Sequence, residues 1–483
     1  YTFYDYGGQD KFDSLHSLFI TKKTLYIIVF DMSRLCNSMC TQDGIDELAL
    51  LESWIERMVM YTEENEQVAS MLLVGTHYDK LLNNGNNDIA TTERQINEKI
   101  QSIISKLMKR TNIRIDEAII KPPSASETDL LYFAVNNISP PDRNSFIGII
   151  RSLEDTLKHA PHVKQEVPLA WIKSRDEFLR KAENDKIVSL ALEEAKEVMK
   201  GYGVTHGKAE EALEFFHDMG ILFWVNDAYL RDVVVLDPFE AFVKPIRTII
   251  CDPQQHTDEE PHKSCKILMR HVYDDYIMNG RLDANGLLPA LLKKWSHNQD
   301  AIVQLMCKFG LIVRLPGDVY LVPSLMREAV MSSHQEQGQR QNRILFFVSR
   351  QPILKIKDKK IQSSFVKRET ADDIGYVQSG FFNRVLANLI EASNIDSTED
   401  LDFAQSFATM KYGHIYYNIR AHKSYISLGV DETKVGSCVE LASHVKEVIC
   451  GVMKQFQMNA VSMCSLLEHE THKDTYFSYK RIR

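Results

Sequence analysis

The sequence predicts a parallel α/β sheet with helices on both faces over residues 1–158, incomplete at its N-terminus. A mainly helical region with two winged-helix-like units follows over 160–335, and then an α+β domain over 343–483. Three observations carry this reading. Continuous apolar runs alternate with amphipathic helical segments in the first region, the pattern of strands buried on both faces of a parallel sheet. The order helix, strand, turn, strand then occurs twice. Beyond the polar segment 332–342 (SSHQEQGQRQN), read as a linker or loop, strands outnumber helices.

In chain order, 2–5 reads as a short strand ending at Gly7-Gly8, and 25–31 as a buried strand. A helix over 45–60 places Ile45, Leu48, Leu51, Ile55 and Met58 on one stripe. Residues 71–74 form a second buried strand, ended by Gly75, and a helix over 92–108 puts Ile96, Ile100, Ile103, Ile104 and Leu107 on one face. A third strand over 130–135 precedes a helix over about 142–157. The first winged-helix-like unit runs from a helix at 206–218 through 220–225 to 233–236, and the second from a helix at 299–308 through 310–315 to 320–322. In the last region strands are expected at 344–348, 414–418, 425–430 and 476–481, with helices near 380–393 and 435–455.

Bulk properties narrow the function classes. The 483 residues leave room for roughly three domains. Hydrophobic residues at 44% and charged residues at 25% are those of a globular chain, so global disorder is not expected. A net charge of -9 argues against a nucleic-acid coat. Eight scattered Cys do not form a disulfide framework, no signal peptide is visible, and no apolar run is long enough for a transmembrane segment. A cytoplasmic protein is expected. The first residue is Tyr1 and residues 1–10 already read as strand and turn, so the chain is expected to begin inside a domain.

Ligands of parallel sheets bind beyond the carboxyl ends of the strands, and three polar motifs sit at such ends. In Asp5-Tyr6-Gly7-Gly8-Gln9, Asp5 can reach a Mg²⁺ ion, Gly8 lets a backbone N–H approach a γ-phosphate, and Gln9 can orient an attacking water as the catalytic residue. In Gly75-Thr76-His77-Tyr78-Asp79, the Asp79 carboxylate can accept from both N1–H and the N2 amino group of guanine, and His77 can cover the base face. In Phe133-Ala134-Val135-Asn136-Asn137, the loop at Val135 and Asn136 can offer backbone N–H groups to guanine O6. Each motif alone has a plain structural reading: a strand–turn, a helix N-cap, a polar loop. Their order, each after a buried strand, is what makes the set specific.

Thr76-His77-x-Asp79 with Phe-x-Val-Asn at 133–136 resembles the Roc GTPases of Roco proteins, Ras-like domains followed by a COR domain. Val167-Pro168-Leu169-Ala170-Trp171-Ile172 resembles the start of COR, as do His217-Asp218-Met219-Gly220-Ile221-Leu222 and 230–237 with Pro238. Gly310-Leu311-Ile312 with 320–325 is similar to the second COR wing, and Gly380-Phe381-Phe382-Asn383-Arg384 to a COR helix start. The resemblance implies a GTP/GDP-binding switch that uses Mg²⁺, hydrolyses GTP slowly, forms a homodimer through COR and acts on protein effectors.

The sequence departs from that pattern in places. Thr76 and His77 stand where GTPases usually carry Asn and Lys. No Gly-x4-Gly-Lys-Ser/Thr loop and no switch I threonine occur, so the chain as given is expected to bind nucleotide poorly, and GTPase activity is an expectation for the full-length protein. The rival reading is a pseudo-GTPase scaffold acting only through protein contacts. A third, a nucleic-acid binder, is disfavoured by the acidic balance. Cys36-x3-Cys40 lacks a second pair for a metal. His469-Glu470-Thr471-His472 is one residue short of a zinc-protease helix and reads as a solvated loop. His217-Asp218 reads as a helix cap, Trp171 and Trp224 as core, and 355–360 (KIKDKK) as a solvated face.

Overall fold

The computed structural model describes residues 5, 16, 20–36 (22 excepted), 46–62, 67–83, 89–111, 113–123, 130–138, 143–160, 165–226, 231–239, 243–250, 258–327, 341–349, 365–367, 377, 379–393, 402–422, 425–431, 438–455, 462–470 and 475–479. Two compact units result: Ile20–Leu169, and Ala170–Arg483 together with Tyr1–Phe19.

The first unit is a parallel sheet with helices. Strand β1 (Tyr26–Asp31) leads into the short helix α1 (Met32–Cys36), and helix α2 (Glu47–Thr62) leads to β2 (Met71–Thr76). Then come α3 (Tyr78–Asn83), α4 (Ile89–Thr111), β3 (Ile119–Ile120), β4 (Phe133–Ala134) and α5 (Arg143–His159). Strand β2 lies centrally, parallel to β1, β3 and β4. Its burial on both faces explains the unbroken apolar run at 71–74, where Met71, Leu72 and Leu73 are fully buried. Helix α4 turns the predicted stripe inward: Ile96, Ile100, Ile103, Ile104 and Leu107 are all buried.

Strand β1 corrects one expectation. It is apolar throughout, yet Ile27 and Val29 are 41% and 61% exposed, while Ile28 and Phe30 are buried. Among the described residues β1 pairs with β2 alone, and only one of its faces is covered. The predicted strand at 2–5 lies outside the described residues, Asp5 excepted.

The second unit opens with two segments of the same element order. The first comprises α6 (Leu169–Glu183), β5 (Ser189–Ala191), α7 (Leu192–Gly201), α8 (His206–Asp218), a bridge at Phe223 and β6 (Val233–Val235). Strand β6 is antiparallel to β5 and carries the Phe223 bridge on Val235. Helices α9 (Lys244–Ile250) and α10 (His262–Leu268) connect the two segments. The second comprises α11 (Arg270–Asn279), β7 (Arg281–Asp283), α12 (Leu287–Leu291), α13 (Gln299–Lys308), β8 (Val313–Leu315) and β9 (Val319–Leu321). Its antiparallel sheet has the order β7-β9-β8. One apolar cluster runs through both segments, from Val188, Phe223 and Val235 to Tyr273, Leu288, Ile302 and Phe309. Trp171 packs on Phe215 and Phe216, and the fully buried Trp224 donates its indole N–H to the Arg231 carbonyl at 2.8 Å.

The remaining strands form one eight-stranded antiparallel sheet. In chain order they are β10 (Gln341–Ser349), β11 (Phe365–Lys367), β12 (Asp402–Ala404), β13 (Phe407–Tyr412), β14 (Ile415–Ala421), β15 (Ile426–Asp431), β16 (Ser462–Glu470) and β17 (Thr475–Tyr479). Helices α14 (Ser379–Ala392) and α15 (Cys438–Gln455) pack on each other. Helix α14 also packs against β8. There the buried Arg384 guanidinium lies 6.0 Å from the Phe309 ring centroid. Gly310 has φ +63, and a Cβ added to it would come within 3.0 Å of Arg384 Cγ, so the turn after α13 is shaped to the arginine stem. Strand β10 begins at Gln341, inside the segment read as a linker; 328–340 lie outside the described residues.

Two minor expectations change. His469 and Glu470 end strand β16, paired with Tyr476 and Thr475, instead of lying in a loop. His217 does not cap its helix: its ring packs edge-on to Phe223 at 5.1 Å. The 355–360 run lies outside the described residues, as does Cys40, and no metal-binding cluster occurs among the described residues. No helix among them is long and apolar enough to cross a membrane.

Burial pushes the His217 imidazole below its ordinary pKa, an effect the neighbouring Asp218 and a backbone bond to Leu222 only partly offset. A histidine that resists protonation when folded costs no stability at high pH. It destabilises the fold as pH drops below its unfolded value of about 6.5, where the unfolded chain takes up more protons. Urea midpoints between pH 8 and pH 5 are expected to fall on acidification, and to fall less in His217→Gln. Parallel pH profiles for the two proteins would show that His217 contributes nothing to acid sensitivity.

Candidate functional site

The site is built where β1, β2 and β4 end. In register, Asp31 lies beside Thr76, and Gly75 beside Ala134. The strands are parallel, so these carboxyl ends form one row. Below the row, Leu72 and Val74 of β2 pack with Phe133 and Val135, under Ile149 and Leu153 of α5.

The turn after β2 is pinned from both sides. Val135 N–H donates to the Gly75 carbonyl at 2.8 Å, and Tyr78 N–H donates to the Val135 carbonyl at 3.4 Å. Thr76 Oγ1 donates across to the Phe30 carbonyl at 3.1 Å. His77 has φ +60, a left-handed conformation that costs a non-glycine residue roughly 1–3 kcal/mol unless its surroundings enforce it. Those bonds, with Lys80 N–H on the His77 carbonyl at 3.1 Å, are the enforcement. The kink starts α3 one residue later and puts Asp79 in its first turn, where the helix dipole favours a carboxylate. Asn136 Oδ1 accepts from Ile138 N–H at 2.9 Å and holds the second loop in an Asx turn.

Gly75 has a steric reason. A Cβ there would lie 2.5 Å from Met32 Cγ and 2.7 Å from Met32 Sδ, and Met32 is fully buried. Helix α1 therefore packs directly on the β2 backbone.

Of the residues proposed from sequence, the structure brings together Thr76, His77, Asp79, Val135 and Asn136. Asp5 is exposed, and Gly8 and Gln9 lie outside the described residues. One further carboxylate stands in the row. Asp31, at the end of β1, places its Oδ2 3.3 Å from His77 Nδ1. Its backbone N–H donates to Glu47 Oε1 at 2.8 Å. Its carboxyl is held below the ordinary carboxylate range: burial raises it, but the Ser33 hydroxyl, His77 and the backbone N–H groups of Ser33 and Arg34 outweigh burial. The signal in the sequence was a lone carboxylate at the end of an apolar strand.

Two family models match parts of the chain. A family model described as Ras of Complex, Roc, domain of DAPkinase matches residues 1–79. A second, described as C-terminal of Roc, COR-A domain, matches residues 168–326. The two matched segments, in this order, are those of a Roc–COR module. It is 24% identical over 243 residues to cyclic GMP-binding protein C of Dictyostelium discoideum, covering 48% of this chain and 7% of that protein. It is 22% identical over 252 residues to leucine-rich repeat serine/threonine-protein kinase 1 of Caenorhabditis elegans, covering 48% of this chain and 9% of that protein. The Roc–COR chain thus spans less than a tenth of the length of these curated relatives. Among solved structures, the Methanosarcina barkeri Roco2 RocCORdC bound to GDP is similar with a TM-score of 0.39 and 18% identity, covering 67% of this chain and 79% of that one.

The tight α1–β2 contact in the Roc segment leads to a stability prediction. Gly75→Ala is expected to destabilise the protein by about 1–3 kcal/mol, the usual cost of overpacking a filled core. Urea denaturation measures it; an unchanged midpoint would mean that Met32 moves aside at no cost.

Proposed function

We propose that this Roc–COR chain is part of a guanine-nucleotide switch. The observation that supports it best is the pairing of segments 76–79 and 135–136 at adjoining strand ends, locked by backbone bonds. Asp79 would accept the two N–H groups of the guanine edge, a charge-assisted bidentate bond that adenine cannot make. His77 would cover the base, and backbone N–H groups near Val135 and Asn136 would meet O6. In this reading Asp5 serves Mg²⁺, Gly8 approaches the γ-phosphate, and Gln9 orients water for slow hydrolysis. GTP and GDP would be the ligands of the full-length protein, with Mg²⁺ neutralising phosphate charge.

The rest of the proposal concerns the COR part. Residues 160–335 and 343–483 form its two halves, after a Roc part ending at 158. The repeated order helix, strand, two helices, two strands is what two winged-helix units require. In our reading COR makes the homodimer, the protein is cytoplasmic, and its output is protein–protein contact.

The test compares GDP with ADP binding to the full-length protein. Wild type should prefer GDP, and Asp79→Asn should weaken GDP binding about ten-fold or more, as expected for losing a charge-assisted bond. Equal affinity for both nucleotides would contradict the reading and leave the scaffold alternative. Gln9→Leu should slow single-turnover GTP hydrolysis with little change in binding; an unchanged rate would remove Gln9 from the chemistry.

A further inference from the structure

The Asp31 carboxylate divides its oxygens between two tasks. Oδ1 accepts from Ser33 N–H at 2.8 Å, Ser33 Oγ–H at 2.6 Å and Arg34 N–H at 3.3 Å, capping α1. Oδ2 lies 3.3 Å from His77 Nδ1 and 3.6 Å from Arg34 Nε. The contact with His77 decides where that ring keeps its hydrogen. Thr76 Oγ1 is 3.2 Å from Nδ1, but its single proton is donated to the Phe30 carbonyl. Toward the ring it can only accept. An ionised carboxylate also only accepts. Both neighbours of Nδ1 are acceptors, so this nitrogen carries a hydrogen.

We propose that Asp31 is a positioning residue for base recognition, fixing the tautomer and orientation of His77 so that the imidazole covers the guanine face. This rests on the guanine-nucleotide reading above. The arrangement is over-determined in the way a fixed cover requires. The left-handed backbone at His77 sets the direction of its side chain, Thr76 ties the turn to β1 and meets Nδ1 at 3.2 Å, and the Asp31 carboxylate faces the same nitrogen at 3.3 Å. Asp31 is 14% exposed at its side chain against 43% for His77, so the anchor is the sheltered partner and the cover the accessible one. The same carboxylate starts α1, which links base recognition to the segment leading into α2.

Asp31→Asn separates the two tasks. Its Oδ1 still caps α1, but the amide turned toward His77 is a donor, so Nδ1 must become the acceptor and the hydrogen moves to Nε2. Ser33→Ala removes a capping bond and leaves the His77 contact alone. Full-length protein with selectively labelled histidine, assigned through His77→Ala, reports the tautomer by heteronuclear NMR of the imidazole nitrogens. The expected result is Nδ1–H in wild type and Ser33→Ala, and Nε2–H in Asp31→Asn. GDP affinity is expected to fall about three- to ten-fold in Asp31→Asn, a loss on the scale of one ring-stacking contact. It should fall by a similar factor in His77→Ala, and no further in the double variant, since coupled residues are not additive. Affinity in Ser33→Ala should be unchanged.

An Nε2–H ring in wild type, or additive losses in the double variant, would overturn the proposal while leaving guanine binding intact. A wild type with no preference for GDP over ADP would overturn the parent reading and the role assigned to Asp31 with it. The tautomer measurement needs no nucleotide, so the two failures are told apart.

Discussion

The first unit depends on parallel register. Because β1, β2 and β4 run the same way, their last residues arrive together, and Asp31, Thr76 and Val135 stand in one row. A slip of one residue would send Asp31 and Thr76 to the opposite face of the sheet. It would also put a side chain where Met32 needs the bare backbone of Gly75. The burial of 71–74 enforces the register. That burial supplies the stability from which the strained backbone at His77 is maintained.

The second unit solves a different problem. Short strands in pairs and threes cannot bury a face by themselves. Here they share an apolar cluster with helices from both segments, from Val188 to Phe309. Beyond it, the Arg384 side chain carries the packing onward from Phe309 and Gly310 to helix α14. Charge is handled locally as well. The Lys196 ammonium, 7% exposed at its side chain, lies 3.0 Å from Glu193 and 2.9 Å from Glu210. Glu210 in turn accepts from Arg231 at 2.7 Å, so α7, α8 and the turn before β6 share one ion-pair network.

Much of this was legible in the residues. The helices at 206–218 and 299–308 match the observed bounds because each has an apolar stripe and a glycine two residues beyond its end, at Gly220 and Gly310. The placement of Thr76, His77, Asp79 and Val135 at strand ends followed from the turn chemistry after apolar runs. Other features were hidden for physical reasons. An apolar run cannot say whether a second strand or helix covers it, so the exposure of Ile27 and Val29 was not foreseen. The His217-Asp218 pair, at the helix end as read, looked like a cap because both side chains are polar, whereas the fold turns the imidazole onto Phe223. Asp31 escaped notice because its partner is 46 residues away in sequence, brought close only by the register of β1 on β2. Strands of two or three residues, such as β4 and β6, are set by their pairing and not by periodicity.

The most direct test of this account is amide hydrogen exchange on the full-length protein, with and without GDP. If the row of strand ends is the base-recognition site, GDP should slow exchange at 76–80 and 135–138 together, because both turns would be held by one ligand. Protection elsewhere, with these two turns unchanged, would contradict the account.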